Sequence, residues 1–234
     1  MTIMKAEWRL AIRNKRLLFF NILVPIVFIA PVILSGAPGV HVTVILVVLF
    51  ALFSTFGSSI PLIRDKESGL LQRYVMTGVN PGFLLLQRTL TFALIDFLQL
   101  VPAQVLIIIV TGSNFGEMSL FIAMVLLALI AGNLFGVLAA SASRSIAEGA
   151  LFSSLLALYM IHLAGVFRVA VPGSWVSILE PWIPFRPLYL SVRTIVLGAE
   201  PVMGADLAPP LFFILVLIMG TYFRGKVFLG AANR

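Results

Sequence analysis

Six stretches of this chain are apolar for about the length of a membrane-crossing helix, and that blocking decides which solvent it folds in. A bilayer core of about 30 Å is crossed by roughly 20 helical residues. The runs are Leu17–Leu34, Val42–Leu62, Thr89–Thr111, Ser119–Ala140, Ala150–Phe167 and Leu207–Phe223. Hydrocarbon offers no water to backbone amides, so each run must satisfy its own hydrogen bonds as a helix. The fold class this predicts is an all-α integral membrane protein with six transmembrane helices. Pro25 and Pro31 fall inside the first run, which neighbouring helices tolerate by re-satisfying the freed carbonyls. That run follows a segment carrying Glu7 and Trp8 and is not trailed by a small-residue cleavage pattern, so it reads as a span.

The charges set the orientation. Only 11% of residues are charged, against about a quarter in soluble domains. Lys5, Arg9, Arg13, Lys15 and Arg16 precede the first span, and Arg64, Lys66, Arg73 and Arg88 lie between spans two and three. Arg144 lies between spans four and five, and Arg224, Lys226 and Arg234 follow span six. Thirteen of the sixteen basic residues thus lie on one side, and only Arg168, Arg186 and Arg193 on the other. The positive-inside rule makes the rich side, with both termini, cytoplasmic, as an even number of spans requires. The expected location is the cell membrane, multi-pass. The net charge of +7 is topological and implies no nucleic-acid partner.

Little in the sequence resembles catalytic machinery. There is no cysteine, and the two histidines, His41 and His162, are far apart, so no metal site is expected. No nucleophile–base arrangement occurs, and no catalytic residue is assigned. Gly220–Val227 has the form G-x-x-x-x-G-K. Val227 stands where a phosphate loop needs Ser or Thr, no strand precedes it, and it straddles the end of a span. The chain is therefore expected to bind no cofactor and to be no ATPase.

Two cytoplasmic segments look structured. In residues 1–16, Met4, Trp8, Ala11 and Ile12 share one helical face and Lys5, Arg9, Arg13 and Arg16 another. This is the pattern of an amphipathic helix lying on membrane lipid and leading into the six-span domain of residues 17–234. A basic anchor without any partner contact gives the same pattern. Between Arg64 and Arg88, Leu70, Leu71, Tyr74 and Val75 make an apolar stripe, followed by the breakers Gly78, Asn80, Pro81 and Gly82. The stripe must bury itself against headgroups or a soluble partner, and the residues leave both open.

Polar residues inside spans are costly and must face something other than lipid. Asn21, Ser58, Asp96, Gln99 and Gln104 are the candidates for a translocation path. Asp96 reads either as a proton or cation site, with His162 the one visible relay partner, or as a carboxyl bonded to a neighbouring span. Gly132 and Gly136 form a G-x-x-x-G pattern that permits close helix contact within or between subunits. On the outer side, Arg168–Pro209 is rich in proline and carries Trp175, Trp182, Phe185 and Tyr189, with a short helix over Leu188–Leu197. It reads as interfacial or re-entrant structure, or as a loop capping the bundle.

These pieces together resemble the permease subunits of the type-2 class of ABC exporters, which includes drug, antibiotic, lipid and polysaccharide exporters. That family carries an E-K/R-E-x-G-T-like stretch, a leucine-rich helix and a T-P turn between spans two and three. Here the segment reads Asp65-Lys66-Glu67-Ser68-Gly69-Leu70-Leu71, then Arg73-Tyr74-Val75-Met76-Thr77-Gly78. It departs at Asp65, Leu70 and Gly78. Pro187-Leu188-Tyr189 matches the family's P-L-Y-like stretch before the last span. The resemblance implies that Glu67–Met76 is a coupling helix docking on a separate ATPase. The ATPase-contacting set would be Asp65, Lys66, Glu67, Gly69, Leu70, Leu71, Arg73, Tyr74 and Val75, flanked by the interface helix (Lys5, Trp8, Arg9, Arg13) and a turn over Ser141–Glu148. It implies two ABC ATPase subunits holding ATP and Mg, and a second permease copy or homologue. The expected function is export of an amphipathic or lipid-like compound; the alternative is a proton-coupled transporter or channel using Asp96.

Overall fold

The computed structural model describes residues 7–9, 12–36, 39–167, 171–200 and 202–230, with the side chains of 17 and 226–230 left undescribed. Lys5, Met4, Ala11, Arg168, Pro201 and Arg234, on which parts of the sequence reading rest, lie outside these residues. Among the described residues every regular element is helical. The elements are α1 (Lys15–Leu34), α2 (Gly39–Glu67), α3 (Leu70–Met76), α4 (Pro81–Thr111) and α5 (Phe115–Ala142), then α6 (Ile146–Leu163), α7 (Trp175–Leu179), α8 (Arg186–Leu197) and α9 (Gly204–Gly230). A single 3₁₀ turn, Glu180–Trp182, follows α7. Of the 1–16 helix expected from sequence, Glu7–Arg9 and Ile12–Arg13 are seen as helical.

Five helices, α2, α4, α5, α6 and α9, are long and apolar enough to cross a membrane. The apolar part of α1, Leu18–Leu34, is shorter. Several boundaries differ from the hydropathy reading, for local reasons. Helix α2 runs through Arg64, Asp65 and Lys66 to Glu67, because neither charge nor the end of the bilayer breaks a helix. Gly69, in the left-handed region at φ 70, does. Helix α4 begins at Pro81, eight residues before the apolar run, where Asn80 caps the amides of Gly82 (2.9 Å) and Phe83 (3.2 Å). Arg88 is therefore inside a helix and not in a loop. Helix α6 stops at Leu163, short of Phe167, as Gly165 turns the chain at φ 83. Helix α9 starts at Gly204 and passes through Pro209 and Pro210 in its early turns.

The pseudo-phosphate loop Gly220–Val227 lies wholly within α9, with no strand among the described residues to precede it. The expected outer helix is present as α8, starting two residues earlier than the reading had it. It does not lie loosely over the bundle. Phe185, Leu188 and Val192 are fully buried, and α8 packs on α2 and α5.

Helix α2 is the spine. It packs most extensively on α5, and also touches α1, α4, α6 and α8. Its contact with α5 is made of small residues. A Cβ on Gly132 would sit 1.7 Å from Ser54 Oγ, and one on Gly136 would sit 2.4 Å from the Thr55 carbonyl. The G-x-x-x-G pattern thus serves a contact within the chain. Lipid supplies no hydrophobic drive between spans, so close backbone packing of this kind takes its place. Ser58 Oγ donates to the Asn133 carbonyl (2.6 Å) and Ser153 Oγ to Ser59 Oγ (2.8 Å), tying α2 to α5 and to α6.

Candidate functional site

Two features stand out, one at the end of the bundle that carries Arg64, Lys66, Arg73 and Arg88, and one in its flank. At the basic end, α3 packs on the end of α2 and on α9, and shares an apolar cluster with the start of α4. Leu71 is fully buried among Leu62, Ile63, Leu84 and Leu85, with Trp8, Tyr74, Val75 and Val79 packed partly against them. Of the apolar stripe read from sequence, this chain itself covers Leu71 completely and leaves Leu70, Tyr74 and Val75 half-buried. What α3 offers outward is its other side: Arg73, Met76 and Thr77 are exposed, as is Glu67 at the end of α2. Asp65 is buried, and Lys66, Gly69 and Leu70 are half-buried. The Ser141–Glu148 turn is a second feature of this end, capped where Ser145 Oγ accepts from the Glu148 amide (3.3 Å).

Beneath α3 lies an ion cluster that sequence reasoning missed. Arg88 is 1% exposed and pairs through Nη2 with Asp65 and, at 2.8 Å, with Glu7. Its guanidinium also lies over the Phe92 ring at 5.5 Å. The cluster joins the N-terminal segment, the end of α2 and the start of α4 at a single side chain. Burial pushes the Glu7 carboxyl above the ordinary glutamate range, and the Arg88 charge pulls it only partly back. Read along the chain, Arg88 is one more topogenic cation. The signal that distinguishes it is its position seven residues inside a helix already capped at Asn80.

The second feature is a cleft of about 920 Å³ between α1, α2 and α4. Leu18, Leu52, Phe53, Phe56, Ile60, Pro61, Phe92 and Ile95 give it apolar walls. Asn21, Asp96 and Gln99 supply polar groups within it, and Glu7, Arg13, Asn14 and Arg64 line it towards the basic end. Asn21 Nδ2 donates to Gln99 Oε1 (2.9 Å), linking α1 to α4. Asp96 accepts from Asn133 Nδ2 (2.9 Å), a partner on α5 that a search confined to ionisable residues passes over. Gly57 faces this carboxylate so closely that a Cβ there would lie 2.3 Å from Asp96 Oδ2.

The structure thus gathers three of the five in-span polar candidates. Asn21, Asp96 and Gln99 share the cleft; Ser58 faces α5, and Gln104 is buried elsewhere with Nε2 unpartnered among the described residues. His162 is exposed near the end of α6 and is not in the cleft. Trp8 packs on the α3 core, while Arg9 and Arg13 are exposed. No group of three or more metal-ligating side chains occurs among the described residues.

Comparison with curated proteins and with solved structures gives no match. Comparison with family models gives a match to one described as ABC-2 family transporter protein, over residues 14–223, which takes in α1 to α8 and most of α9. Membership in it makes the chain a membrane transport subunit distinct from the ATPase and implies ABC ATPase subunits as its partners. With every described regular element helical and the family model matching residues 14–223, this chain belongs to the ABC-2 family of transporter permeases.

Proposed function

We propose that this chain is the transmembrane subunit of an ATP-driven exporter that moves an amphipathic or lipid-like compound out of the cytoplasm or the inner leaflet. In this reading α1 is the sixth span. Its apolar part, Leu18–Leu34, rises about 26 Å, the short end of what a spanning helix needs. The thirteen-to-three charge asymmetry puts the basic end and both termini in the cytoplasm of a cell-membrane protein. Two copies, or this chain and a homologue, work with two ATPase subunits that hold ATP and Mg.

The observation that carries the reading is the form of the basic end. A short helix is anchored by Leu71 in an apolar cluster shared with the long helices and turns outward Arg73, Thr77 and the exposed apolar side chain of Met76. Together with Glu67 this face is the docking surface for the ATPase. Movement of a docked partner would reach α2 and α4 through Leu71 and through the Arg88–Asp65 pair. The flanking cleft is then the entry for cargo. The alternative, a proton-coupled transporter or channel, draws on the burial of Asp96 and needs no partner at α3.

Co-purification in mild detergent separates the two. The wild-type chain is expected to bring down an ABC ATPase, and Arg73→Glu with Met76→Asp is expected to lose it while keeping its elution profile. Failure to recover an ATPase from the wild type sinks the exporter reading.

A further inference from the structure

We propose that Asp96 recognises the charged head of a membrane-soluble organic cation, which makes such cations the substrate class of this permease. The inference rests on the reading of the cleft as the cargo entry. Asp96 is 5% exposed, on α4, and lines the cleft. A carboxylate at that depth needs strong partners, because neither lipid nor apolar side chains replace its hydration. It has one: the Asn133 amide, on Oδ2. Oδ1 accepts no hydrogen bond and the group joins no ion pair among the described residues. The basic residue of α2 that lines the cleft, Arg64, is seven residues from Gly57, or about 10 Å along the helix. It lies 3.6 Å from Asp65. Arg13, the other cation lining the cleft, does not pair with Asp96 among the described residues either, so the counter-charge that Asp96 lacks there is one that an entering group can supply.

The walls fit the same cargo. Phe53 and Phe56 line the cleft, and aromatic rings attract organic cations. Pockets for small molecules combine apolar walls with a few convergent polar groups in this way. At Gly57 the absence of a side chain leaves the room the carboxylate occupies. An anion of the same shape would meet uncompensated repulsion from Asp96, and a neutral molecule would leave it unpaired.

The test uses two probes of matched shape and opposite charge, tetraphenylphosphonium and tetraphenylborate. Binding to the full chain in zwitterionic nanodiscs is measured against protein-free discs. The wild type is expected to bind the cation saturably and tighter than the anion by about tenfold or more. Asp96→Asn keeps an acceptor for Asn133 but no charge, and is expected to lose cation affinity by about thirtyfold or more. Asp96→Glu should recover most of it. Equal binding of the two probes by the wild type, or unchanged cation binding by a folded Asp96→Asn, overturns the proposal. The probe comparison on the wild type stands even where the variants fail to fold. The ATPase co-purification is read on the same samples. Recovery of an ATPase without charge selectivity removes the cation site and leaves the exporter; selectivity without an ATPase does the reverse.

Discussion

The two flanks of α2 are built from opposite materials. On one, Ser54, Thr55, Ser58 and Ser59 are completely buried, and Gly132 and Gly136 of α5 come against them with no space for a methyl group. On the other, Leu52, Phe53, Phe56 and Ile60 border a cleft of about 920 Å³. Small side chains let two backbones close until nothing fits between them. Bulky ones stand off, and beside the gap the amide pair Asn21 to Gln99 joins α1 to α4. One helix can therefore be rigidly joined on one side and open on the other. On the proposed reading of the cleft as cargo entry, this divides what holds from what admits cargo. The two flanks meet at the basic end, where Arg88 binds Asp65 of α2 and Glu7, which lines the cleft.

The largest effect is expected where the flanks meet. Arg88→Met leaves buried Asp65 with only the exposed Arg64 at 3.6 Å and takes from half-buried Glu7 its close partner, at a cost of about 3 kcal/mol, the low end for breaking a buried pair. Thermal unfolding in detergent should show a large drop, mostly recovered when Asp65→Asn and Glu7→Gln are added. No recovery would mean that Arg88 serves chiefly by packing.

Next in size is the closed flank. Gly136→Leu should cost about 3 kcal/mol, at the upper end of overpacking, because its side chain would strike the Thr55 carbonyl. Gly132→Ala strikes side-chain atoms of Ser54 instead, so Ser54→Gly should rescue it, whereas Ser58→Gly should not rescue Gly136→Ala. Phe56→Ala on the open flank should cost under about 1.5 kcal/mol, well below the usual range for a core aromatic. If the glycine and phenylalanine variants melt alike, the contrast between the flanks is wrong.

The smallest effect is a dependence on pH. The folded state holds the Glu7 proton more tightly than the unfolded chain does, since burial raises its carboxyl. The stability it contributes is complete below the ordinary glutamate range and is lost as pH rises through the raised value. The melting temperature should therefore fall slightly over that interval, and Glu7→Gln should flatten the slope. Identical slopes for the two proteins would place the pH dependence elsewhere.

Much of this architecture is written in one dimension. Length and apolarity mark the long helices, since a backbone in hydrocarbon has no other way to satisfy its amides. Punctuation is also local: Asn80-Pro81 opens α4 and Gly69 separates α2 from α3. The family was legible too, from the order of spans and from the Asp65–Gly78 segment. The first-span boundary and the N-terminal helix are less sharply drawn.

Other matters needed the packed bundle. Hydropathy treats Arg64–Arg88 as a loop because it scores charge, and charge does not end a helix; only the fold shows Arg88 buried and paired across 23 positions. The α3 stripe was visible as a stripe, but what covers it depends on where Leu62, Ile63, Leu84 and Leu85 converge. Gly132 and Gly136 announce a close contact without naming the partner, and Asp96 announces a buried charge without naming Asn133. Periodicity and composition are properties of neighbours along the chain. Which flank of α2 closes and which stays open is a property of residues dozens of positions apart, and it is settled by the depth to which their side chains let two helices approach.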